Sequence, residues 1–109
     1  MKFTSSLKKN YEFKRLYAKG RSAADRNLVV YCRKNGGGKN RVGITVGGKI
    51  GNAVIRNRVR RRLREAYRLN EDKLSCGYDI VIVARTRAIF ADFVSLCDSM
   101  LQLLKKTGV

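Results

Sequence analysis

Arg41-Val42-Gly43-Ile44-Thr45-Val46, Gly47-Gly48-Lys49-Ile50-Gly51-Asn52 and Ala53-Val54-Ile55-Arg56-Asn57-Arg58-Val59-Arg60-Arg61-Arg62-Leu63-Arg64-Glu65-Ala66-Tyr67-Arg68 follow one another without a break. In the first segment Val42, Ile44 and Val46 alternate with Arg41, Gly43 and Thr45, the period-two pattern of a half-buried strand. The glycines end that strand, and Asn52 is a good N-cap for a helix running to about Leu69. At about 100° per residue, Ile55, Val59, Leu63, Ala66 and Tyr67 share one arc of about 120°. Arg56, Arg60, Arg61, Arg64 and Arg68 lie opposite, so one face of the helix packs and the other is left for a partner.

Working outward, a turn at Ser75-Cys76-Gly77 leads into Tyr78-Asp79-Ile80-Val81-Ile82-Val83-Ala84, an apolar run of strand length that belongs in the middle of a sheet. Arg85 and Arg87 sit at its exit. A last helix over Ala91 to Lys106 places Phe93, Leu96, Cys97, Met100, Leu103 and Leu104 on one face. On the other side, Leu28 to Arg33 reads as a strand, and Asn35-Gly36-Gly37-Gly38-Lys39-Asn40 as a flexible turn. Together they predict a hairpin with Arg41 to Val46. A first helix over Tyr11 to Lys19, capped by Asn10 and stopped at Gly20, carries Phe13, Leu16 and Tyr17 as one stripe, and residues 21–27 form a polar connection. The order is α-β-β-α-β-α in one α+β layer fold, a single domain over residues 1–109 with no internal repeat and no proline.

The chain has 109 residues, with 25 Lys and Arg against 8 Asp and Glu, a net charge of +17. One core fits this length and a separate catalytic domain does not. With 44% apolar residues and nine Phe and Tyr, the chain has the material to fold despite its charge. Such a field points to a polyanion, and nucleic acid is the leading partner. Histidine is absent, which removes the commonest general base and the commonest zinc ligand. Cys32, Cys76 and Cys97 show no paired spacing, so they predict neither a zinc knuckle nor a disulfide framework, and they read as small apolar residues in a reducing compartment. Met1-Lys2-Phe3-Thr4 opens no apolar leader, and no uncharged apolar stretch nears the roughly 20 residues of a membrane span. The expected location is the cytoplasm.

Between Lys49 and Arg68 lie eight basic residues and a single acid, Glu65. Arg56, Arg60, Arg64 and Arg68 recur every fourth residue, a stripe about 18 Å long at helical rise. Arginine pairs bidentately with phosphate and stacks on bases, and Asn57 adds an amide that donates and accepts. A merely solvated face would set like charges against each other at i, i+4 with one acid to offset them. An anionic membrane or a calmodulin-like partner is a weaker fit, because the apolar arc is needed by the sheet. Phe13, Tyr17 and Tyr31 interleave with the charge. By spacing alone they read as core or as a platform for unpaired bases. A stand-alone nuclease would need a metal-binding cluster drawn from Glu12, Asp25, Glu65, Glu71, Asp72, Asp79, Asp92 and Asp98, of which only Glu71 and Asp72 are neighbours in sequence. A ribosomal-type RNA-binding protein is the remaining alternative.

Leu7-Lys8-Lys9-Asn10, Phe13, Gly20, Arg41-Val42-Gly43 and above all Lys49-Ile50-Gly51-Asn52-Ala53-Val54-Ile55-Arg56-Asn57-Arg58, followed by Arg62 and Arg64-Glu65, resemble the protein subunit of bacterial ribonuclease P over nearly the whole chain. The resemblance implies a partner for a catalytic RNA that removes the 5′ leader of precursor tRNA by Mg²⁺-dependent hydrolysis, the ion held mainly by the RNA and no catalytic residue supplied by the protein. It assigns Lys49, Asn52, Arg56, Asn57, Arg58, Arg60, Arg61, Arg64 and Arg68 to the RNA subunit. Phe13, Tyr17, Tyr31 and Arg85 are assigned to a cleft for the single-stranded leader. It implies a 1:1 complex with the RNA, a monomeric free protein, and a ribosomal protein S5 domain 2-like fold: a two-layer sandwich with a left-handed βαβ crossover through residues 41–47, 52–69 and 78–84. Where the family commonly reads Ser-Lys-Lys before Ile-Gly-Asn, this chain reads Gly47-Gly48-Lys49.

Overall fold

The computed structural model describes residues 4–109; the expectation about an apolar leader falls in part on residues 1–3, which lie outside the described residues. The elements are β1 (Thr4–Ser6), α1 (Asn10–Lys19), β2 (Arg21–Ala24), β3 (Leu28–Lys34), β4 (Asn40–Thr45), α2 (Ala53–Asn70), β5 (Tyr78–Ala84) and α3 (Phe93–Lys106). They form one mixed sheet in the order β1-β4-β5-β3-β2. The unbroken apolar run of β5 sits at its centre, where Ile80, Val81 and Ile82 are wholly buried.

Alternation divides the core between the two faces of the sheet. Leu28, Val30 and Cys32 of β3, Val42 of β4, and Ile80 and Ile82 of β5 pack against Val59, Leu63, Ala66 and Tyr67 of α2 and Leu96, Met100, Leu103 and Leu104 of α3. On the other face Val81 meets Leu7 and Leu16, with Phe13, Tyr31 and Val83 half-buried around them. Thus α2 and α3 form the helical layer, and α1 lies alone across the opposite face. That leaves part of the second face open.

The expected hairpin is not formed. β4 pairs in parallel with β5, β3 pairs antiparallel with β5, and so β5 lies between the two strands that the turn connects. A central strand must satisfy its backbone donors and acceptors along both edges, and both neighbours find their partner there. Residues 35–39 instead cross the start of β5. Asn35 donates its N–H to Gly77 O at 2.8 Å and its side-chain amide to Asp79 Oδ1 at 3.0 Å. Gly77 has φ +91°, and a Cβ there would lie 2.8 Å from Gly37 O, so the crossing requires glycine on both counts.

β1 and β2 were not expected. β1 runs parallel to β4 over three pairs, Thr4↔Asn40 to Ser6↔Val42, and β2 lies antiparallel to β3 within the stretch read as a connection. Both are short, polar edge strands. β4, α2 and β5 form the strand–helix–strand unit with adjacent parallel strands that the resemblance implied. Helix ends differ by a residue or two. α2 starts as expected, with Asn52 Oδ1 accepting from Ile55 N–H at 3.0 Å. α1 includes Asn10, because its cap is Lys9, whose N–H reaches the Glu12 carboxylate at 3.4 Å. α3 starts at Phe93 rather than Ala91, with Asp92 accepting from Ser95 N–H at 2.7 Å. Cys32 is buried and Cys97 half-buried, but Cys76 is exposed in the turn before β5 and does not pack as an apolar residue. Among the described residues no helix is long and apolar enough to cross a membrane.

Candidate nucleic-acid interface

The open part of the sheet face is a cleft whose depth depends on one missing side chain. Gly43 faces α1, and a Cβ there would lie 2.5 Å from Cζ and 2.6 Å from Cε1 of Phe13. The Phe13 ring therefore rests directly on the β4 backbone. One turn later Tyr17, 43% exposed, meets Tyr31 edge to face with ring centroids 5.0 Å apart. Its hydroxyl lies 3.4 Å from Thr45 Oγ1. β1 accompanies β4 only as far as Val42, so beyond it the outer edge of β4 has no strand partner. Two adjoining depressions result. One, of about 450 Å³, is lined by Asn10, Phe13, Lys14, Tyr17, residues 44–46 and Arg60; the other, of about 250 Å³, by Ser6, Leu7, Phe13, residues 42–44, Arg60 and Arg64.

The seating of α1 is held by charge as well as by packing. Arg41 of β4 pairs with Glu12 of α1, and it donates to both carboxylate oxygens of Asp79 on β5 at 2.8 and 2.7 Å. Burial alone would raise the Asp79 carboxyl, but hydrogen bonds from Arg41 and Asn35 outweigh it and hold the group below the usual carboxylate range. Arg41 is pushed up in turn by its hydrogen bond to Asp79. Glu12 precedes Phe13, and Arg41 lies two residues before Gly43, so this three-element clamp fixes the ring over the strand.

The α2 arginines separate into distinct environments. Arg60 and Arg64 project to the cleft rim, so the basic stripe and the aromatic cleft, separate in the sequence, share a border. Arg58 and Arg61 are exposed and make no ion pair among the described residues. Arg56 is half-buried, with Nη1 4.0 Å from where a Gly48 Cβ would lie. Arg60 donates to Asn57 Oδ1 at 2.9 Å, which engages that amide. Arg68 is paired with Glu65 one turn back, so its charge is already compensated, unlike the rest of the stripe. Arg62 donates to Ala91 O at 2.7 Å and ties α2 to the start of α3. Lys49 is exposed in a short 3-10 helix before α2, and Asn52 is spent on the cap. Arg85 stands apart, at the exit of β5, with Nη1 on Asp25 O at 3.0 Å. Neither Gly47 nor Gly48 is required by crowding: a Cβ meets nothing at the first and only the Arg56 guanidinium at the second.

A family model described as ribonuclease P matches residues 1–108. The chain belongs to the ribonuclease P protein component family. The ribonuclease P protein component of Alkaliphilus oremlandii is 45% identical over 109 residues, covering all of this chain and 96% of that one. The solved structure of the Staphylococcus aureus RNase P protein superimposes with a TM-score of 0.85 at 36% identity, covering 95% of each chain. That of the Thermotoga maritima RNase P protein gives 0.85 at 33% identity, covering 94% of this chain and 96% of that one. The five-stranded mixed sheet with three helices is thus the fold of ribonuclease P proteins.

The structure brings Phe13, Tyr17, Tyr31, Arg60 and Arg64 together and leaves Arg85 beyond them. Sequence reasoning missed the unpaired strand edge at residues 44–46, Lys14, and the Arg41 clamp. The outward-facing Thr45 and Arg41 in the period-two pattern were the available signals.

Proposed function

We propose that this protein is the RNA-binding subunit of a ribonuclease P ribonucleoprotein, with α2 on the RNA subunit and the α1 cleft on the single-stranded leader of precursor tRNA. The observation that carries the reading is the shared border. A trough lined by Phe13 and Tyr17, with Tyr31 packed edge to face behind Tyr17, suits unpaired bases. Arg60 and Arg64 at its rim suit the phosphates of a strand entering from the RNA-bound helix. Lys49, Arg56, Arg58 and Arg61 supply the remaining cations toward the RNA subunit.

Hydrolysis of the phosphodiester is assigned to the RNA. Among the described residues no group of three or more His, Cys, Asp or Glu side chains is gathered to hold a metal ion. Six of the eight acids have other tasks: Glu12 and Asp79 clamp Arg41, Glu65 pairs with Arg68, Glu71 accepts from the Thr4 hydroxyl, and Asp25 and Asp92 accept backbone N–H groups. Mg²⁺ belongs on the RNA in this reading, the complex is 1:1, the free protein is monomeric, and the work is done in the cytoplasm. The residues of this chain bind, orient the leader and neutralise phosphate.

The test is cleavage of a precursor tRNA at low Mg²⁺ by a bacterial ribonuclease P RNA with the protein, without it, and by the protein alone. Stimulation that requires the RNA is expected. Cleavage by the protein alone, or no stimulation, would overturn the proposal.

A further inference from the structure

The exit of β5 carries a second aromatic and basic cluster outside the cleft. Arg85 follows Val81 and Val83 at two-residue spacing. Its N–H donates to Asn27 O at 2.9 Å and its guanidinium to Asp25 O at 3.0 Å, which pins the β2–β3 connection against the end of β5. The chain then turns through a short 3-10 helix, Thr86–Ile89, to Phe90. A cavity of about 560 Å³ opens there, lined by Arg26, Asn27, Arg87, Phe90 and Asp92 among others. Phe90 is 83% exposed, more than any other large apolar residue described. A lone exposed apolar side chain is ordinary. This one has arginines beside it on two separate chain segments, and the neighbouring acid, Asp92, is committed to the Ser95 N–H.

Tyr31 lies opposite Val81, and the Asn27–Arg85 contact is four residues farther along the same strand pair, about 13 Å at strand rise. A few nucleotides of extended RNA span that distance. We propose that Phe90, flanked by Arg26 and Arg87, is a stacking platform for an unpaired base of the RNA strand that leaves the α1 cleft across Arg85. The ring offers its face to any base and the guanidiniums take phosphates, so recognition is tolerant of sequence. The inference rests on the leader reading above and adds to it a distal contact beyond the cleft.

The experiment measures affinity of the reconstituted holoenzyme for precursor tRNAs with leaders of increasing length. Phe90→Ala should leave mature tRNA and the shortest leaders unchanged and weaken the longer ones by on the order of 5- to 100-fold, the worth of one stacked base. Phe90→Trp should retain binding, Phe90→Leu should not, and Arg87→Ala should lower the salt slope by about one for long leaders only. Because Phe90 is exposed, unchanged thermal unfolding of each variant is expected. Equal loss at every length, mature tRNA included, or no loss at any length, overturns the proposal. Wild-type affinity that does not vary with leader length would instead refute the leader reading itself.

Discussion

Replacing Gly43 by alanine tests whether the Phe13 ring rests on the strand. The added Cβ would lie 2.5 Å from Phe13 Cζ, with Leu7 Cβ at 3.4 Å on its other side. Ordinary carbon contact is about 3.5–4.0 Å, so the ring tip must retreat by about 1 Å. The sheet lies beneath it and buried Leu16 is on its own helix, which leaves the cleft as the direction of escape. Because the obstacle is the far end of a side chain and not backbone, the stability cost falls at the low end of overpacking, about 1 kcal/mol. For a domain of this size that lowers Tm by roughly 4–8 °C. A displaced ring also narrows the trough, and losing one stacked base costs about 1–3 kcal/mol. The assay is thermal unfolding of the free protein beside holoenzyme affinity for leader-bearing and mature tRNA. Gly43→Ala should lower Tm modestly and weaken the leader-bearing substrate selectively. Adding Phe13→Leu should recover Tm without recovering leader affinity. Unchanged Tm together with unchanged leader affinity would refute the seating of the ring and the cleft built on it.

Three further outcomes follow from the same geometry. Asp79 is held below its ordinary pKa of 3.8 in the folded protein, so its contribution is full above about pH 4 and is lost as pH falls through the lower folded value. Asp79→Asn should therefore cost about 1 kcal/mol near neutrality, allowing for the partly exposed guanidinium, and the gap from wild type should close in acid denaturation profiles below about pH 4. Asn52→Ala should cost about 1 kcal/mol in denaturant unfolding through the lost α2 cap, and Asn52→Ser should restore it; a serine variant that is stable yet defective in RNA-subunit binding would show a direct contact as well. Glu65→Gln should release Arg68 and steepen the salt dependence of RNA-subunit binding by about one phosphate, measured as the slope of log K against log salt.

Period and capping made the central strand, the outer-facing pattern of β4, and all three helices legible within a residue or two. Pairing was less legible. The Asn35–Asn40 turn has hairpin chemistry, yet its amides serve a crossing over Gly77, because β5, nearly forty residues later in the chain, takes both strand edges. Nothing local to residues 28–46 encodes that competitor. β1 and β2 escaped for a related reason: Thr4-Ser5-Ser6 and Arg21-Ser22-Ala23-Ala24 have little strand propensity and take their conformation from the edges they join. The candidate site was legible as two lists, basic and aromatic. Their meeting at Arg60 and Arg64 depends on how α2 crosses the sheet, and the Arg41 clamp depends on register, since Arg41 and Asp79 are paired positions in parallel strands. The parallel pairing of β4 with β5 came from the resemblance and not from any local pattern.

The central claim is that one small protein presents two separable RNA surfaces, an arginine face and an aromatic trough. The most direct measurement compares Arg58→Ala and Phe13→Ala in two titrations, one against the RNA subunit and one of the assembled holoenzyme against leader-bearing and mature tRNA. Arg58→Ala should weaken the first and lower its salt slope by about one, while leaving the ratio of leader-bearing to mature affinity unchanged. Phe13→Ala should leave the first unchanged and reduce that ratio by about 1–3 kcal/mol. If both substitutions reduce both quantities in the same proportion, the surfaces are not separable and the account is wrong.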